Sequence, residues 1–166
     1  MPLRRAVAIA FVVTAFTISA ENQGGSALSV RVVPERYLDI PVVQLSFPVT
    51  NPGVVERSEA VAVTAWARAL PGQEIRLMAK PVLIGPQGTA PTDAIQWKGS
   101  MERASGGATG ALCGSGRFGS GASEQLIRNW TQSGIAKCAF TFALQTQADW
   151  PKGAYLAEIS LTLETR

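Results

Sequence analysis

The sequence contains no histidine, and only two of its 166 residues are cysteine. Without His there is no imidazole to serve a Ser-His-Asp or Cys-His arrangement, to shuttle protons near neutral pH or to ligate a transition metal. Two thiols alone cannot complete a four-ligand zinc site. Charged residues are only 16% of the chain, too few for a disordered charged tail or a long solvated helix. No Lys/Arg run follows residue 20, so the sequence offers no clustered phosphate contacts for a nucleic acid. What remains is a chain that is 46% hydrophobic and long enough to close one core, and one domain is the expectation.

The first 20 residues are set apart. Arg4 and Arg5 form a positive start, Ala6 to Ala20 carry no charge, and the stretch ends Ile18-Ser19-Ala20 before the polar Glu21-Asn22-Gln23. This is the layout of a secretory signal peptide, and its apolar run falls short of the roughly 20 residues that cross a bilayer. The expectation is export with cleavage after Ala20, or less favourably after Ala27, leaving residues 21–166 as one secreted or periplasmic domain with no membrane association. Removal of both arginines and no acid takes the formal charge from +3 to +1. In an exported chain Cys113 and Cys138, the only cysteines, read as a structural disulfide.

The remainder alternates with period two. Tyr155, Ala157, Ile159, Leu161 and Leu163 share one parity, against Glu158, Ser160, Thr162 and Glu164 on the other. Cys138, Phe140, Phe142 and Leu144 do the same, which aims the Cys138 sulfur into the core. Successive strand side chains point to opposite faces, so each segment has one buried and one wet side. Earlier strands are expected over Leu28–Val33 and Pro41–Val49, the latter an edge strand because of Pro41 and Pro48. A short strand is expected over Ala94–Lys98.

Ser58–Leu70 and Gln73–Ile84 read as a hairpin around Pro71-Gly72. Parity then requires a three- or five-residue connection or a bulge, and a three-residue loop places Ala67 opposite Leu77. The same register sets Trp66 opposite Met78 on the outer face, with Arg68 and Arg76 beside them. These four residues are a candidate contact patch, with a long loop or an Arg stem covering Trp66 as the alternative. Gly99–Gly121 carries eight glycines and reads as a long loop or irregular hairpin tied by Cys113. Ser123–Trp130 fits a short helix, with Leu126, Ile127 and Trp130 on one side, as well as it fits an edge strand. The sum is seven or eight short antiparallel strands: an all-β, immunoglobulin-like sandwich, with a barrel as second choice.

Motifs add little chemistry. Gly114-Ser115-Gly116-Arg117-Phe118-Gly119 spells GxGxxG but lacks the following helix that would receive a pyrophosphate. The GxSxG elbow does not occur. Asp39, Asp93 and Asp149 are the only aspartates and have no calcium-loop spacing. No catalytic residue, metal site or cofactor is expected.

The C-terminal run Trp150-Pro151-Lys152-Gly153-Ala154-Tyr155-Leu156-Ala157, followed by Ile159-Ser160-Leu161-Thr162-Leu163, resembles the last strand of fimbrial-type and spore-coat-U-like secreted bacterial subunits. The resemblance implies an immunoglobulin-like sandwich, export, and self-assembly or adhesion. Fimbrial subunits commonly bridge two early strands with their disulfide, whereas both cysteines here lie in the second half. The expected role is structural or adhesive, toward other protein subunits or a cell-surface component, with self-association by strand addition at the Pro41–Val49 edge. The alternative is an extracellular carbohydrate- or peptide-binding module.

Overall fold

The period-two alternation of the chain resolves into two antiparallel sheets facing each other across one apolar layer. The computed structural model describes residues 35–166, so the expected strand at 28–33 and the expected cleavage points lie outside the described residues. In chain order the strands are β1 (Glu35–Leu38), β2 (Val42–Val49), β3 (Val55–Arg57), β4 (Val61–Arg68), β5 (Ile75–Gly85), β6 (Gly88–Thr89), β7 (Ile95–Gly106), β8 (Leu112–Cys113), β9 (Ser115–Arg117), β10 (Glu124–Trp130), β11 (Gly134–Gln145) and β12 (Gly153–Thr165). Sheet I has the order β1-β4-β11-β7-β9, with β3 also on β11. Sheet II has the order β2-β12-β5-β10-β8, with β6 on β5. The all-β sandwich expectation holds. Eight of the twelve strands have four residues or more, and the four short ones (β3, β6, β8 and β9) carry no alternation long enough to read from sequence.

The core is built from the expected parities. Val63, Ala65 and Ala67 of β4 and Cys138, Phe140, Phe142 and Leu144 of β11 face Ile75, Leu77 and Leu83 of β5 and Tyr155, Ala157 and Ile159 of β12, all buried. Cys113 in β8 of sheet II and Cys138 in β11 of sheet I form the disulfide, with Cα atoms 6.0 Å apart. The bridge therefore ties one sheet to the other through the core.

On each lateral side one segment changes sheet and links the two sheets at that point. On one side the backbone N–H of Asp39 donates to Thr64 of sheet I at 3.1 Å, while Pro41 accepts from Leu161 of sheet II at 2.7 Å, so β1 and β2 are one strand divided between the sheets. On the other side Gly114 does this alone. Its N–H donates to Leu126 O in sheet II at 2.7 Å, and its carbonyl accepts from Gly99 N in sheet I at 2.9 Å.

Three expectations are corrected. First, β4 and β5 do not form a hairpin: β4 pairs with β1 and β11, and β5 pairs with β12 and β10. Residues 69–74 cross from one sheet to the other, through a turn in which Gln73 N–H donates to Leu70 O at 3.1 Å and Gly72 has φ +83°. A positive φ there is what a type II turn with Pro71 before it demands. Parity misled because two strands that face one core from opposite sheets obey the same apolar alternation as two strands side by side. Second, Gly99 to Gly106 is not loop but the second half of β7, which pairs with β11 from Ile95 to Gly106 with one register shift at Glu102. Third, Ser123–Trp130 resolves as strand, and it is internal, between β5 and β8. Register shifts on either side of Ile127 bury Leu126 and Ile127 in succession, which breaks the period of two and imitates a helical face.

Candidate functional site

The structure separates the four residues of the expected patch. Trp66 lies between Tyr37 and Ile135 in sheet I, and Met78 lies between Gln125 and Thr162 in sheet II. Trp66 and Arg68 point out from sheet I, and Met78 and Arg76 point out from sheet II, because each alternates with buried neighbours of its own strand. The correction follows from the sheet crossing at residues 69–74: the two pairs sit on opposite outer faces.

Around Trp66 the register assembles a different group. Tyr37, Trp66 and Ile135 form a row across β1, β4 and β11, with Tyr37 59% and Ile135 37% exposed. The Arg68 guanidinium lies 5.8 Å from the centre of the Trp66 ring, and the ring is half-buried. The Arg68 guanidinium thus stands over the Trp66 ring, with the exposed Tyr37 beside it.

On sheet II the outward group is aliphatic. Val82, Ile84 and Leu156 are each about half exposed and share the outer face with Gln44, Ser46 and Glu158, around a shallow groove of about 350 Å³. The groove lies alongside β2, the terminal strand of this sheet. Sequence reading passed over it because these three residues occupy the polar parity of β5 and β12, mixed with Lys80, Glu158 and Ser160. The signal was an aliphatic side chain on a parity otherwise given to water.

Arg76 serves a local contact. Its Nε donates to Glu74 Oε2 at 2.9 Å, and its guanidinium makes a salt bridge to the same carboxylate. Hydrogen bonding from Arg76 holds the Glu74 carboxyl below the ordinary carboxylate range, against the opposing effect of burial. Glu74 lines an open cleft of about 640 Å³ at one end of the sandwich, between residues 69–74 and 131–133. The hydroxyl there, Ser133 Oγ, is engaged with the backbone N–H and carbonyl of Ala69. Among the described residues no cluster of three or more Cys, Asp or Glu side chains could hold a metal ion.

The other tryptophans are structural. Trp97 is 4% exposed and its ring centre lies 4.6 Å from that of Phe118. Trp130 is fully buried, its Nε1 donating to Gln132 O at 2.7 Å, and Trp150 stacks on Tyr155 at 5.3 Å. The GxGxxG glycines answer to packing: a Cβ on Gly116 would stand 2.9 Å from the Trp97 ring, and the segment continues as strand and turn. Among the described residues no helix is long and apolar enough to cross a membrane. No protein-family model, no curated protein and no solved structure matches the chain.

Proposed function

We propose that the chain is an exported, non-catalytic structural or adhesive protein that acts through surface contacts, with strand addition along β2 joining it to further copies of itself. The observation that carries this reading is the juxtaposition of the β2 edge and the Val82–Ile84–Leu156 groove. Of the four terminal strands, β2 has eight residues while β1 has four, β9 three and β8 two. Among the described residues β2 pairs only with β12. A strand added there gains backbone hydrogen bonds along most of its length, and the groove beside it can receive apolar side chains. The cross-sheet disulfide suits an oxidising compartment, and the resemblance of the C-terminal strand to fimbrial-type subunits points the same way.

Sedimentation of the purified protein over a wide concentration range tests the reading. Concentration-dependent multimers are expected, and Leu156→Lys, at an exposed position, should abolish them without changing the thermal midpoint. A strictly monomeric mass at high concentration removes strand addition.

A second reading, a carbohydrate- or peptide-binding module, is favoured by the Tyr37–Trp66 row with Arg68 above it. Loss of glycan or peptide binding in Trp66→Ala, with folding intact, would select it.

A further inference from the structure

The outer face of sheet I gathers cations that the sequence keeps apart. Arg57 of β3, Arg68 of β4, Lys98 and Arg103 of β7, Arg117 of β9 and Lys137 of β11 all take the outward parity of their strands. In one row Arg57 faces Ala143, Ala143 faces Gln96 and Gln96 faces Arg117. In another Lys137 stands between Thr64 and Arg103, so that two cations are direct cross-strand neighbours. Like charges so placed are unfavourable to the fold. The acids of this face are Glu35, Glu102 and, at the edge, Asp39. Glu102 is paired with Lys137 at 3.0 Å, and Asp39 Oδ1 accepts the backbone N–H of Thr64 at 2.8 Å. Glu35 is the direct cross-strand neighbour of Arg68, and among the described residues none of the other five cations has a carboxylate within salt-bridge distance. On the outer face of sheet II, by contrast, Arg76, Lys80 and Arg128 stand with Glu158 and Glu164, and Arg76 is already paired with Glu74. A chain with a formal charge of only +3 has thus placed an unbalanced positive field on one side.

The form of the face narrows what it can hold. At about 4.8 Å between strands and about 3.4 Å per residue along them, the cations occupy a band about 14 Å wide and about 34 Å long. Its floor between the charges is made of Ala62, Ala139, Ala143 and Ser100 with Thr64, Thr141 and Gln96 among them, so no large apolar side chain projects from its centre. A duplex nucleic acid is read by an element that enters a groove, whereas the cations here stand on the broad face of a sheet five strands across. Single strands are held by aromatics among the cations, whereas here Trp66 and Tyr37 lie together at one end. A membrane surface asks for apolar tips among the charges, and the central floor has none larger than alanine. A rod-like chain with regularly spaced carboxylates and sugar rings fits both features: carboxylates over the cation band and a ring against Trp66.

We propose that the outer face of sheet I binds a linear, carboxylate-bearing polysaccharide. The proposal deepens the binding-module reading above, on which its Trp66 end rests, and it uses a face different from the β2 edge. Titration calorimetry of the full chain with polygalacturonate at low salt, with dextran as the neutral control, tests it. Binding to polygalacturonate alone is expected, weakening steeply as salt is raised. The variant Arg57→Gln/Lys98→Gln/Arg117→Gln, all exposed positions, should bind about tenfold more weakly or worse with an unchanged thermal midpoint. Lys80→Gln on sheet II should bind as the parent does. Retained affinity in the triple variant, equal binding of dextran, or tighter binding of single-stranded DNA or phosphatidylglycerol vesicles would each overturn the assignment. Trp66→Ala read in the same titration separates the two levels. Weakening by the triple variant but not by Trp66→Ala keeps the charged band and discards the aromatic end. Leu156→Lys should disrupt strand addition and leave polysaccharide binding intact, so the two surfaces fail independently.

Discussion

A Cβ on Gly99 would stand 2.9 Å from the Cβ of Cys113, and also 2.7 Å from the Phe140 ring and 2.8 Å from the Gly114 carbonyl oxygen. The missing side chain at Gly99 is what lets β8 lie against β7 closely enough for Cys113 to reach β11. Gly99→Ala should therefore destabilise the fold by about 1–3 kcal/mol, the usual effect of overpacking a dense interior. Equilibrium denaturation of the oxidised protein measures this, and an unchanged midpoint would mean that the sheet sides yield more freely than the contacts indicate.

Removing the bridge itself acts on the unfolded state as well. Cys113 and Cys138 are 25 residues apart, and closing a loop of that size contributes about 3–4 kcal/mol on a chain-entropy basis. Cys113→Ala/Cys138→Ala should lower the denaturation midpoint by a corresponding amount, and the parent under strong reductant should match the double variant. Because the bridge joins β8 of sheet II to β11 of sheet I, hydrogen exchange in the variant should rise most in β8, β9 and the first half of β10.

The contrast between these strands marks what the chain discloses about itself. β11 and β12 were legible because each is central, long and wet on one side, so that its alternation is uninterrupted. The burial of Cys138 followed from the same parity, and the disulfide from the single pair of cysteines in a chain expected to be exported. β10 was ambiguous because its register shifts bury consecutive residues, and β7 was cut short because Gly99 serves close approach within the strand and the turn comes only at Gly106. The hairpin of β4 and β5 failed for a deeper reason: alternation says which side is buried but not which sheet a strand belongs to. The candidate patch inherited that failure, keeping Trp66 and Arg68 together and losing Met78 and Arg76. The cationic face was invisible for the complementary reason, since Arg57, Lys98, Arg117 and Lys137 become neighbours only through strand pairing.

Trp66 and Trp97 offer a direct test of outward against inward parity. Trp97 is 4% exposed, packed on Phe118 and against Gly116, and its replacement by Ala should cost about 3–5 kcal/mol. Trp66 faces water on one side with Arg68 above it, and Trp66→Ala should shift stability by about 1 kcal/mol or less. Chemical denaturation of the two variants checks the order. A collapse of folding in Trp66→Ala would place that ring in the core and reverse the assigned faces of sheet I.

The Glu74–Arg76 pair gives stability a dependence on pH whose sign is fixed by the direction of its shift. Hydrogen bonding from Arg76 is the largest influence on Glu74 and holds its folded pKa below the unfolded value, while burial, the next influence, acts in the opposite sense. A carboxyl depressed in this way stabilises the native state fully above its unfolded pKa, and that contribution is lost as pH falls through the folded value. Glu74→Gln should therefore lower the thermal midpoint at neutral pH, and the gap should close under strongly acidic conditions where both proteins are uncharged at this site. The gap will be small, because about a third of each side chain is exposed and solvent screens the pair. The backbone of Glu74 exchanges two hydrogen bonds with Arg166, at 2.6 and 2.9 Å, and these survive the substitution. A gap that persists at acid pH would trace to that terminal pairing and not to the carboxylate.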